Sequence, residues 1–314
     1  MKSTTKALIA VGVAATLSLG STVANAAVLA SSTFTINNFV ISDASTGNAL
    51  NLGSFSTIVA TNNAGVAADL NGGALSANDG FNQSFLDPNT DLGQVCVGNC
   101  TSIPTENNFT VLTPPVTSGN FGHADQFLAG SSIDLGAGAG ALAQVRSDVS
   151  LVGTGEGSAD ANVGLDATFI FSLMNPIQIG FDFNAVLDLI AHADPGTTFP
   201  GNAQASSGLE ITLSELNTGN VVFDFSNFDS GLRTGCDLGH TINRNAPFNG
   251  TSSYNCTDTF SATTGILSNQ NTYQLSIRQT VDSDALLIPE PGTIALLGAG
   301  LFGLGMARRR RNKQ

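Results

Sequence analysis

Three long runs, residues 141–152, 160–173 and 177–192, constrain this chain most, because apolar and polar residues tend to alternate along them with few breakers. Thr168-Phe169-Ile170-Phe171-Ser172-Leu173 and Gln178-Ile179-Gly180-Phe181-Asp182-Phe183 show the pattern. A period of two sends successive side chains to opposite faces of a pleated strand, so Phe181, Phe183 and Ala185 share one face. Val186 to Ile190 could form a helical turn, but with strands on both sides it reads as strand. No strongly amphipathic helix occurs between residues 27 and 287.

Further strands are predicted at Thr33–Ser42, 208–216, 220–225, 257–263 and 272–287. In the first, Phe34 and Ile36 change phase to Phe39 and Ile41, which implies a bulge. Asn217-Thr218-Gly219 and Met174-Asn175-Pro176 are predicted hairpin turns. Residues 48–77 read as short strands or irregular loop. Residues 78–125 carry the turn signals Asp79-Gly80, Asp87-Pro88-Asn89, Pro104, Pro114-Pro115 and Gly119-Asn120, and are expected to be mostly loop with one strand at Asn108–Leu112. The glycine-alternating stretch 136–140 reads as a flexible turn. Many strands, polar turns and no alternating helices predict an all-β antiparallel sandwich, jelly-roll-like. It is expected as one domain over 27–287, or alternatively as a loop-rich part (27–125) packed on a sandwich (126–287).

Charge narrows the function classes. Between residues 27 and 287 there are 23 acidic residues and only four basic ones, Arg146, Arg233, Arg244 and Arg278, with no lysine. A region carrying about −19 cannot neutralise phosphates, so nucleic acid is excluded as a partner. Such a surface stays soluble and attracts divalent cations.

The four cysteines are Cys96, Cys100, Cys236 and Cys256. An even number in an exported chain reads as disulfides, and proximity favours 96–100 with 236–256. The x₃ spacing of the first pair does not match the x₂ redox motif. Zinc would require all four together, with His240 as a further ligand.

Catalytic patterns are weak. His123 and His192 each begin a His-Ala-Asp triplet, but no Gly-x-Ser-x-Gly elbow accompanies them or His240, so all three read as solvated or structural. Among 23 acids some pair will meet the spacing of a glycosidase by chance, so a secreted hydrolase is the third-ranked reading. Trp is absent and only Tyr254 and Tyr273 could stack on sugar, while the phenylalanines alternate within strands as core residues would. Asp87, Asn89 and Asp91 offer oxygens at alternate positions to calcium, but the glycine and bidentate glutamate of an EF-hand are missing. No catalytic residue and no required cofactor is expected. A calcium-assisted polysaccharide-binding sandwich is the alternative to a non-enzymatic structural protein.

The two ends carry the clearest signals. Lys2 and Lys6, the apolar run 7–19 and Ala24-Asn25-Ala26 make a secretory signal peptide, expected to be cut after Ala26 by signal peptidase following Sec export. At the other end stand Ile288-Pro289-Glu290-Pro291-Gly292, a 15-residue apolar run from Thr293 to Ala307, and Arg308, Arg309, Arg310 and Arg311. The prolines fix φ and hold the triplet extended, presenting one carboxylate. The apolar run is shorter than the ~20 residues that usually span a bilayer. The arginines would stop transfer on the cytoplasmic side and snorkel to lengthen the span. Ala299, Gly303 and Ala307 at four-residue spacing would let another helix approach.

This order of motif, apolar segment and basic stop resembles the PEP-CTERM sorting domain of exported Gram-negative proteins. The resemblance covers about the last 27 residues, with Ile288 where the family usually has Val. It implies that Pro289, Glu290 and Pro291 are recognised by an exosortase, an integral-membrane cysteine protease-like enzyme. It further implies an inner-membrane precursor, then release to the cell surface or an exopolysaccharide-rich biofilm matrix.

Overall fold

The computed structural model describes residues 26–84, 86–114, 119–153, 157–194, 201–226, 236–245 and 250–287. The predicted signal peptide up to residue 25, the motif Pro289-Glu290-Pro291, the apolar run and Arg308 to Arg311 lie outside the described residues, and with them the predicted membrane helix.

The described chain is a sandwich of two antiparallel sheets. The front sheet runs, in spatial order, β13 (Gly250–Leu267), β9 (Ile177–Ala193), β1 (Ala26–Asp43), β7 (Ala141–Gly153), β6 (Phe121–Ala129) and β5 (Asn89–Gly98), with β2 (Asn48–Ala49) added to β1. The back sheet runs β11 (Val221–Ser226), β10 (Gly201–Glu215), β14 (Thr272–Leu287), β8 (Gly157–Leu173), β3 (Phe55–Leu70) and β4 (Leu75–Gln83), with β12 (Thr241–Asn245) beside β10. Among the described residues the only helical turns are the 3-10 turns Leu52–Ser54 and Cys100–Ser102.

Alternation builds the core. Val28, Ala30, Phe34 and Ile36 of β1 and Val145, Val149 and Leu151 of β7 face Val163, Leu165, Leu275 and Val281 of the back sheet, all buried. One edge is closed by aromatic rings. Phe183 stacks on Phe260 at 5.1 Å, and Phe225 meets both edge-on at 6.1 and 6.0 Å. The bulge in β1 falls where the phase change predicts it, between Ile36 and Phe39 against β7. Asn38 takes φ 55° there, a left-handed conformation that asparagine tolerates.

Four expectations need correction. Met174-Asn175-Pro176 does not close a hairpin: β8 pairs with β3 and β14, whereas β9 pairs with β1 and β13. The turn carries the chain from one sheet to the other, as it can without the left-handed residues that a tight hairpin demands. Residues 75–98 are not mostly loop but form β4 and β5. Asp79-Gly80 lies inside β4, because pairing with β3 overrides a weak local preference on an edge strand. The signal at Asp87-Pro88-Asn89 does mark a crossing, from the edge of the back sheet to the edge of the front one. Finally, Asn108–Leu112 is no strand, and residues 55–70 are one long strand rather than several short ones.

Candidate functional site

The outward side of the back sheet carries the most distinctive surface. Residue register aligns Gly80 of β4, Gly65 of β3, Gly164 of β8, Thr280 of β14 and Gly208 of β10 in one row across five strands. At strand spacings of about 4.8 Å such a row runs about 19 Å. Packing does not require the two central glycines, Gly65 and Gly164. A Cβ on Gly65 would meet nothing within 4 Å, and one on Gly164 only Thr280 Cγ2 at 4.0 Å. Glycine inside a strand weakens it, and one use of such a position is close approach of another molecule. The row is thus the floor of a trench, with hollows of about 720 and 800 Å³, open solvent included, along it.

Its walls are polar. On one side Asn78, Ala67, Asn162, Asp282 and Ser206 align; on the other Asn82, Asn63, Asp166, Arg278 and Glu210. Arg278 Nε lies 3.6 Å from Asp166 Oδ1, both well exposed. One row beyond Asp282, Asp69, Asp160 and Asp284 stand directly opposite one another on β3, β8 and β14. Like charges in that position repel. Burial, a hydrogen bond with Asp160 and the charges of Asp160, Asp282 and Asp69 push the Asp284 carboxyl up to about 7. Burial and Asp160 also raise Asp282. The wall therefore offers carboxylate and amide oxygens to a hydroxyl-rich or cationic ligand, and it presents no aromatic platform. Tyr273 is buried, and Tyr254 is covered by the His240 ring at 4.0 Å.

A second polar cluster is enclosed. On the outward side of the front sheet, chain 103–114 forms a cover over Ser31, His123, Asp125, Arg146 and Asp148, every one of them fully buried. Arg146 Nε donates to Asp148 Oδ2 at 2.5 Å, and His123 Nδ1 lies 2.9 Å from the same oxygen. Ser31 Oγ donates to Asp148 Oδ1 at 2.5 Å and accepts Leu112 N at 3.0 Å. Arg146 also donates to the Asn108 carbonyl, and Asn107 N donates to Asp125 Oδ2. Burial drives the Asp148 carboxyl up, but Arg146 and His123 together hold it below its ordinary value. Burial raises Asp125 despite its hydrogen bond from Asn107. The carboxylate sits between serine and histidine, so Ser31 and His123 do not form a nucleophile–base pair. The cluster locks the cover to the sheet. Its sequence signal is Arg146-Ser147-Asp148 inside a predicted strand, which puts two charges on one face.

The predicted site residues are distributed as follows. Cys96 pairs with Cys100 and Cys236 with Cys256, at Cα separations of 6.2 and 5.6 Å. The second bridge ties the segment before β12 to β13, across the sheets, next to Asp237 N donating to Tyr254 Oη at 2.7 Å. Of the calcium candidates, Asp91 accepts Asn107 Nδ2 at 2.7 Å and so helps to hold the cover. Among the described residues no group of three or more His, Cys, Asp or Glu is arranged to hold a metal. His192 contacts Thr251 Oγ1 at 2.8 Å on the surface.

The chain enters β1 and leaves β14 at one end of the sandwich. A Cβ on Gly201 would fall 2.5 Å from Val28 Cγ2 and 3.7 Å from Leu287 Cδ2. These features define an all-β sandwich whose last strand runs straight into the terminal motif. The family model described as the PEP-CTERM protein-sorting motif matches residues 287–311, beginning on the final residue of β14. The chain thus carries the C-terminal signal of an exported, membrane-anchored precursor handled by an exosortase. No curated protein and no solved structure matches the chain.

Proposed function

We propose that this is a non-enzymatic surface or matrix protein of a Gram-negative bacterium. Sec exports it, an exosortase-like enzyme processes it at Pro289-Glu290-Pro291, and it joins the cell surface or an exopolysaccharide biofilm. The sorting motif carries this reading, because it follows directly on a disulfide-bonded acidic sandwich. Changing Pro289, Glu290 and Pro291 together to Ala should leave the protein in the membrane at full mature length. A triple variant that is shortened and released normally would sink the proposal.

The trench favours a second reading, in which the sandwich binds polysaccharide along the back sheet, with calcium assisting. Carboxylates and amides would hydrogen-bond sugar hydroxyls in place of aromatic stacking, and the glycine floor would admit an extended chain. Gly65→Val with Gly164→Val should abolish binding to the exopolysaccharide of the producing strain while leaving the melting temperature nearly unchanged. Retained binding by the filled trench would remove this reading, and indifference to a chelator would remove calcium from it.

A further inference from the structure

Beneath the β4–β5 crossing the two sheets do not close completely. A narrow slot open to solvent runs between them, lined by Leu128, Ala143, Leu165 and Ala167 and completed by Leu86 and Pro88. Ala143 of β7 and Ala167 of β8, small residues on the two sheets, leave the room.

Two polar atoms in this apolar lining have no partner: Ser132 Oγ and Gln279 Oε1, on residues only 4% and 2% exposed. The Gln279 amide is oriented by its environment, since Nε2 donates to the Phe34 carbonyl at 2.8 Å. The unpartnered atom is therefore an acceptor. Ser132 is held through its own carbonyl, which accepts Ile41 N at 2.8 Å. A buried polar atom without a partner is costly, and each instance needs an explanation. Two of them lining one slot indicate a partner supplied from outside the chain.

We propose that the slot binds a small linear aliphatic molecule headed by a neutral hydrogen-bond donor, a primary amide or an alcohol. The head would donate to Gln279 Oε1 and engage Ser132 Oγ, and the hydrocarbon would lie against the alanines and leucines. A carboxylate head is disfavoured, because it would face the Gln279 acceptor. The proposal does not rest on the sorting motif or on the trench reading; the slot shares only Asp166 with the trench walls.

Calorimetric titration of the purified protein with hexanamide, 1-hexanol and hexanoate at pH 7 tests this. Hexanamide and hexanol should bind saturably, and hexanoate at least tenfold more weakly. Ala143→Leu, or Ala167→Val if the first does not fold, should eliminate binding by filling the slot. Ser132→Ala should weaken hexanamide binding several-fold while melting at the same or a higher temperature, because it deletes an unpaired buried hydroxyl. No binding by any probe, equal binding of hexanoate, or unchanged binding in the filled variant overturns the proposal. A lower melting temperature for Ser132→Ala also counts against it, since that hydroxyl would then already have a partner, such as a buried water.

Discussion

Replacing Asp284 by Asn should make the protein more stable at alkaline pH and leave it nearly unchanged in mild acid. Asp284 stands opposite Asp160, which stands opposite Asp69, so three carboxyls line up across three strands. Folding moves the Asp284 carboxyl from 3.8 up to about 7, through burial first and then through Asp160. A carboxyl raised in this way keeps a proton in the native state that the unfolded chain has released. Its linkage therefore makes stability fall as pH rises from about 4 to about 7, with the full penalty above that. A shift of about three pH units corresponds to at most about 4 kcal/mol at 1.36 kcal/mol per unit. Asp284 is only half-buried, and solvent screening reduces this to about 1–2 kcal/mol. For a domain of this size that is a rise of about 2–8 °C in melting temperature for the Asn variant at pH 8.5. At pH 4.5 the two proteins should melt within a degree or so.

The assay is thermal unfolding of both proteins from pH 4 to pH 9, read as their difference. The difference matters because Asp125 and Asp282 are also raised and tilt the wild-type curve in the same direction. Asp148 has the opposite sign. Its carboxyl is depressed, so its contribution is present above about pH 4 and is lost only as pH falls below that. A difference that does not change with pH, or an Asn variant less stable at pH 8.5, would refute the carboxyl ladder as the cause.

Arg146→Met should destabilise the protein by about 3–5 kcal/mol, because it leaves the fully buried Asp148 without its guanidinium; urea titration measures this, and a loss below about 1 kcal/mol would contradict the enclosed cluster. Replacing Cys236 and Cys256 together by Ser should cost about 3 kcal/mol, as expected for a loop of 20 residues. The Cys96–Cys100 double replacement should cost less, and the reverse order by urea titration would show that loop length is not what decides. Phe183→Ala should cost about 3–5 kcal/mol, since its ring touches Phe39, Phe225 and Phe260.

Much of the local structure was legible in the residues. Runs 141–152, 160–173 and 177–192 fall within β7, β8 and β9, because long alternation of apolar and polar residues has no stable alternative to a half-buried strand. The Asn217-Thr218-Gly219 hairpin and the β1 bulge are equally local events. β4 escaped notice because its Asn, Ser and Gly residues carry no strand preference of their own; it exists because β3 offers a pairing edge. The strand read at Asn108–Leu112 is extended chain of another kind, held by Arg146 and Ser31 rather than by a ladder.

The sequence alone determined that the chain is all-β, that its cysteines pair by proximity, and that its last residues carry a sorting motif, because periodicity, short loops and contiguous motifs are properties of neighbours along the chain. Tertiary structure decided which sheet each strand joined, and with that everything on the faces. Gly65, Gly80, Gly164 and Gly208 are scattered through 144 positions and become one trench floor only when four antiparallel registers align them. Asp69, Asp160 and Asp284 become a ladder for the same reason. Likewise, whether Arg146, Asp148 and His123 meet water or one another depends on chain 103–114 folding over them, a long-range contact that no local pattern encodes.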